Sequence, residues 1–292
     1  MVHRMTLGTP SVPSVEEGLR LQLLAAFALD EGRRDYPWYD SRFLHKYRAA
    51  LYLIEKIKPS LKAEFIRALA PLQTRPDFRT VSIDRVFGDG VLEEIRSIVR
   101  GLRESQFERH EAGSFGRLVL HDHPRFCELQ RDVQDLASDL AGERLVPTYN
   151  FLSLYNETGV CQPHLDSPQS KWTLDLCIDQ SDEWPIHLSQ VVPWPMDGSF
   201  SGEDWEARVC ESSDLAFDAW SMRPGQAVWF SGSSQWHYRK PLGPARPGAF
   251  CHLLFFHFTP ASMVEHVDPS NWPRLFGLPE LEAVVVQPVD DR

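Results

Sequence analysis

The sequence predicts an α+β fold in which a mainly helical first half supports a β-barrel or two-sheet jelly roll, followed by a short tail. Three observations carry this. Up to about Leu145 apolar residues recur at helical spacing, and beyond it short β-branched, aromatic and leucine runs alternate with Pro, Gly, Asn and Ser clusters. The 292 residues, 42% hydrophobic and 24% charged, also have the composition of a globular chain long enough to bury a large core without staples.

The first helix opens at Ser14-Val15-Glu16-Glu17, which has the S-x-x-E form of a capping box, and its stripe Leu19, Leu23, Phe27 is expected to pack in the core. A second spans Ser41 to Lys58, with Phe43, Tyr47, Leu51 and Ile54 on one face and Pro59 as its stop. Leu61, Phe65 and Leu69 mark a third, Val91 to Leu102 a fourth, and Phe126 to Leu140 a fifth ending near Gly142. Strands are expected at Gly116–Leu120, Val146–Tyr155, Trp172–Ile178, Ile186–Val192, Gln226–Phe230, Trp236–Pro241 and Phe250–Phe258. Pro193 to Asp218 reads as a long polar loop of the kind that covers a site. The tail holds a short helix around Leu275–Val284.

Charge and cysteine content narrow the function classes. Thirty basic against 41 acidic residues leave a net charge of −11, which repels polyanions, so neither nucleic acid nor a membrane surface is an expected partner. The longest nearly apolar run, Leu21 to Leu29, is too short to cross a bilayer. Five cysteines with no C-x-x-C pair argue against a disulfide framework or a structural zinc site. No basic-then-apolar leader is visible before Pro13, and a cytoplasmic location is expected.

His164-Leu165-Asp166 stands at a turn marked by Pro163, Ser167 and Pro168. Residues i and i+2 of an extended segment point to one side, so a His nitrogen and a carboxylate oxygen can reach one ion. With a further His they make the two-His-one-carboxylate set that holds non-haem Fe(II) and leaves positions open. With 11 His and 41 acidic residues, chance supplies one or two H-x-[Asp/Glu] matches, and two occur. The second, His266-Val267-Asp268, has no later His to complete a set and leads into Pro269-Ser270 as a helix start. The first is followed by Pro224-Gly225 and Phe230, then His237, then Arg246 nine residues on at the mouth of an apolar strand. An arginine there suits a carboxylate, which it can bind bidentately.

This order resembles the Fe(II)- and 2-oxoglutarate-dependent dioxygenases, particularly their prolyl-hydroxylase-like branch, over about Val146 to Phe258. The resemblance implies a double-stranded β-helix (a cupin-like jelly roll) with N-terminal buttressing helices. The expected organisation is one oxygenase domain over 1–292, with 1–145 as support, 146–258 as catalytic core and 259–292 as tail. His164, Asp166 and His237 would be the iron ligands, with Arg246 and Tyr155 on 2-oxoglutarate. The implied cofactors are Fe(II), 2-oxoglutarate and O2, with ascorbate as an accessory reductant. The implied reaction oxidises, by default hydroxylates, a C–H bond of a small amino-acid-like metabolite, releasing succinate and CO2. Alternatives are a protein or peptide hydroxylase, a desaturase or cyclase of the same family, and a non-catalytic jelly-roll binding module.

The chain departs from the family pattern at Trp184–Leu188, where Gly-Gly is common, and at Gly248, where Ser or Thr often follows the arginine. His252, at even parity with Arg246, and Trp236 are expected to meet substrate, and Trp172, Trp229 and Tyr238 to cluster around the pocket. Arg239-Lys240 reads as a solvated rim, and His121-Asp122-His123 as a polar turn before Pro124.

Overall fold

The computed structural model describes residues 15–196, 202–243 and 247–285. Its first half carries helices α1 (Val15–Asp35), α2 (Arg42–Ile57), α3 (Lys62–Leu69) and α4 (Asp89–Gly101), and then α5 (Pro124–Asp132) and α6 (Gln134–Ala141). The predicted fifth helix is thus two, because buried, β-branched Val133 leaves helical geometry at φ −96°, ψ 5°. Gly142 closes α6 at φ 68°, a left-handed cap that a side chain would strain.

The α1 stripe corrects an expectation. Leu19, Leu23 and Phe27 are 57%, 64% and 51% exposed. The helix packs instead through Ala25 and Ala28, which share a core cluster with Ala49, Ala50, Leu53 and Ile54 of α2. Small residues allow the two helices to approach closely, with Leu21, Leu24 and Leu29 packed at the edge of the contact and the predicted stripe turned outward.

Among the described residues, ten strands form two antiparallel sheets: β1 (Val81–Ile83), β2 (Arg117–His121), β3 (Leu145–Tyr155), β4 (Cys161–His164), β5 (Trp172–Gln180), β6 (Ile186–Ser189), β7 (Phe217–Trp220), β8 (Ala227–Phe230), β9 (His237–Arg239) and β10 (Cys251–Pro260). The larger sheet runs β1-β8-β5-β10-β3-β2 and the smaller β4-β9-β6-β7. The polar stretch read as one long loop contains helix α7 (Trp205–Glu211) and leads into β7. The tail adds two short helices, α8 (Trp272–Leu275) and α9 (Glu282–Val285).

Strand β10 reads Cys-His-Leu-Leu-Phe-Phe-His-Phe because both its faces are covered. Cys251, Leu253 and Phe255 face an inter-sheet core with Ile186, Leu188 and Val228, whereas Leu254, Phe256 and Phe258 meet α5 and α6 through Phe126, Leu129 and Ala137. Partners on β3 shift register between Phe256 and Phe258. A third cluster joins α1–α3 to the tail and to Trp194, Trp205 and Trp236.

Candidate metal centre

In the smaller sheet His164 and His237 are direct cross-strand partners on β4 and β9, with ring centroids 4.1 Å apart. Asp166, two residues past the end of β4, is held from below when its N–H donates to the Gly232 carbonyl at 2.9 Å. Its Oδ1 lies 3.3 Å from His164 Nε2 and 3.4 Å from His237 Nε2. One ligand atom from each residue falls within 4.8 Å of the others, making the one such three-residue group of His, Cys or acidic side chains among the described residues.

The tautomers suit a cation. His164 Nδ1 is 2.8 Å from the Gln162 carbonyl and His237 Nδ1 is 2.9 Å from the Gln235 carbonyl. A carbonyl can only accept, so both protons sit on Nδ1 and both Nε2 lone pairs turn toward Asp166. Three acceptors this close, in a buried setting, repel one another unless a cation or protons lie between them. Room for the carboxylate depends on Gly232: a Cβ there would stand 2.1 Å from Asp166 Oδ2 and 2.6 Å from the Ser170 carbonyl. These donor atoms and their locked tautomers fit a divalent transition metal with open positions.

Around this centre lies a cavity walled by both sheets and by the chain between α1 and α2. Tyr155 lines it, as expected, and its hydroxyl accepts from Arg117 Nη1 at 2.7 Å. The Arg117 Nε donates to Glu111, whose other oxygen accepts from the Tyr39 hydroxyl at 2.7 Å. Burial raises Glu111, but Arg117 outweighs it and holds the carboxylate below its usual range.

Arg239 corrects the reading of a solvated rim. It is 3% exposed, lines the cavity, and donates through Nη2 to Asp175 at 2.6 Å and through Nη1 to the Trp184 carbonyl, while Lys240 is exposed. Its i+2 spacing from His237, the rule already applied to His164 and Asp166, was the available signal.

Other expected residues are not brought to the cavity. Trp236, 1% exposed, packs edge-on against Trp38 at 4.7 Å in the helical core, and Trp172 stacks on Trp229 at 5.5 Å on the outer face of the larger sheet. Tyr238 points away from His237 and stacks on His187 at 4.6 Å. His252 pairs with Leu154 rather than Tyr155 and does not line the cavity, because the parity that brings Phe255 and His257 inward turns it out. Arg246 lies outside the described residues. His121-Asp122-His123 forms the expected turn, Asp122 at φ 49° and Pro124 opening α5. Asp268 likewise caps Ser270, its Oδ1 accepting from the backbone N–H at 2.9 Å.

Sequence reasoning missed Asp40, Tyr149 and His257, all of which line the cavity. Asp40 Oδ2 accepts from the Ser167 N–H at 2.5 Å, and burial together with the charge of Asp166 pushes its carboxyl up to about 7. His257 is 3% exposed and burial lowers it to about 4, so its ring is neutral.

No family profile and no curated protein matches the chain. Solved structures do. SnoK, a non-heme alpha-ketoglutarate-dependent carbocyclase from nogalamycin biosynthesis, superposes with a TM-score of 0.50 at 13% identity, over 67% of this chain and 83% of its own. HygX from Streptomyces hygroscopicus, solved with nickel, 2-oxoglutarate and hygromycin B, gives 0.47 at 14% identity over 62% and 83%. A Pseudomonas putida prolyl-4-hydroxylase gives 0.43 at 11% identity over 66% and 98%. At such identities the likeness to SnoK is one of fold.

Proposed function

We propose that the chain is an Fe(II)- and 2-oxoglutarate-dependent oxygenase of small molecules, built as one domain on a double-stranded β-helix that its N-terminal helices buttress. The observation that carries this is the convergence of His164 Nε2, His237 Nε2 and an Asp166 oxygen, with both Nδ1–H groups committed to carbonyls. The fold shared with SnoK and the strand order of the two sheets support it.

His164, Asp166 and His237 would hold the iron on one side and leave adjacent positions for the keto-acid end of 2-oxoglutarate and for O2. Tyr155 lines the cavity beside them, and by resemblance Arg246 meets the far carboxylate. Bound there, ferrous iron with the keto acid would use O2 to oxidise a substrate C–H bond, with release of succinate and CO2. The chain's own part is to orient and to exclude water. Phe151, Phe230, Phe255 and Ile186 give the cavity apolar walls that keep the oxidised carbon dry. Thr173 Oγ1 donates to Asp166 Oδ2 at 3.4 Å and turns the other oxygen toward the histidines.

Hydroxylation is the default outcome, with desaturation or ring closure as variants. The test is a screen of amino acids and related metabolites for substrate-dependent succinate release, with product masses. One added oxygen marks hydroxylation and the loss of two hydrogens marks desaturation or cyclisation. Undiminished turnover in both His164→Ala and His237→Ala would refute the site.

A further inference from the structure

The charged groups of the cavity pair off, with one exception. Arg117 is bound by Glu111, and Arg239 by Asp175. On the proposed function, on which this inference rests, Asp166 would face the iron. Asp40 remains. Its Oδ2 takes the Ser167 N–H, and its Oδ1 has no hydrogen-bond partner among the described residues. Arg42 acts on it through space. Asp40 also stands where the inner cavity meets an outer one of ≈ 400 Å³, since both are lined by Tyr39, Asp40 and Tyr149. A substrate moving inward passes it.

His257 adds a second acceptor. The single Thr173 hydroxyl proton goes to Asp166, so at 3.1 Å the His257 Nδ1–H donates to Thr173 Oγ1 and Nε2 keeps its lone pair. That Nε2 is buried with no partner, although the ring lines the cavity beside Tyr149, centroids 4.5 Å apart. Tyr149 offers no replacement donor where its proton is shared with Ser170 Oγ at 2.6 Å. A buried acceptor without a donor is costly, and a ligand that supplies one regains that cost.

We propose that Asp40 and His257 form the substrate-recognition pole of this site, selecting a small molecule that places an ammonium on Asp40 and a second N–H or O–H on His257. The substrate class is therefore a primary or secondary amine.

The test uses the full chain loaded with Ni(II) and 2-oxoglutarate, which blocks turnover, and isothermal titration with matched probes: n-butylamine against n-butanol, and L-lysine against its 6-hydroxy isostere. The native chain should bind each amine about tenfold or more tightly than its alcohol, the scale of a charge-assisted hydrogen bond. Asp40→Asn, which keeps the acceptor for Ser167, should bring each pair within about twofold, and His257→Phe should weaken L-lysine, which carries a second N–H, more than n-butylamine. Both variants should still fold, by a cooperative melting transition, and still bind Ni(II). Equal binding within each pair, no binding of either amine, or a preference that survives Asp40→Asn would overturn the proposal while Ni(II) still binds. Failure of the native chain to bind Ni(II) would bring down the metal centre itself, and this inference with it.

Discussion

At the scale of single residues, the site is set by where protons and small atoms are. His164 and His237 present lone pairs because a carbonyl two residues back takes each Nδ1 proton, and Asp166 reaches them because position 232 has no side chain. Gly232→Ala is expected to weaken Co(II) binding by about tenfold or more, the range seen when groups that orient metal ligands are disturbed, as read by titration of the visible Co(II) bands. Asn or Ser substitutions on the exposed loops near Gly113 should leave those bands alone. His257 predicts a pH dependence. Its folded-state value of about 4 lies below the usual 6.5, so the unfolded chain binds the extra proton, and stability is lost as pH falls through that window. The loss amounts to about 3 kcal/mol for this group, and His257→Gln should flatten the denaturant-midpoint profile between these pH values relative to the native chain.

At the scale of elements, the two sheets are tied by one buried ion pair, Arg239 of β9 with Asp175 of β5, 3% and 0% exposed. Removing one partner leaves an uncompensated buried charge. Arg239→Leu should cost about 3–5 kcal/mol in urea unfolding, and the double change with Asp175→Leu should recover much of it. The outward stripe of α1 makes the opposite prediction: Leu23→Gln should shift stability by no more than about 0.5 kcal/mol, whereas fully buried Phe65→Ala in α3 should cost about 3–5. These elements also show what the sequence made legible. His164, Asp166 and His237 were readable because their spacing and flanking strands are local, and β3, β5 and β10 because long apolar runs persist where both faces are covered. Asp40 and His257 were not, since their places on the cavity wall depend on how the chain before α2 and strand β10 are brought to one site. Arg239 was hidden by its neighbour Lys240, and α1 by an apolar periodicity that does not say which face meets α2. Strand β4, Cys-Gln-Pro-His, is too short and polar to announce itself.

At the scale of the whole molecule, helices cover one face of the larger sheet, and the space between the sheets meets the outer cavity at Tyr39 and Asp40. The net charge of −11 and an acidic gatepost at that opening agree in disfavouring polyanions and favouring a cationic small molecule. On the proposed function, His164, Asp166 and His237 hold one iron to which 2-oxoglutarate chelates. Anaerobic titration with Fe(II) and 2-oxoglutarate, followed by visible absorption, tests it most directly. The native chain should develop the chelate's charge-transfer band to saturation at one iron per chain, and His164→Ala and His237→Ala, if folded by their melting curves, should lose it. A native chain without the band, or folded variants that keep it, would contradict this iron assignment.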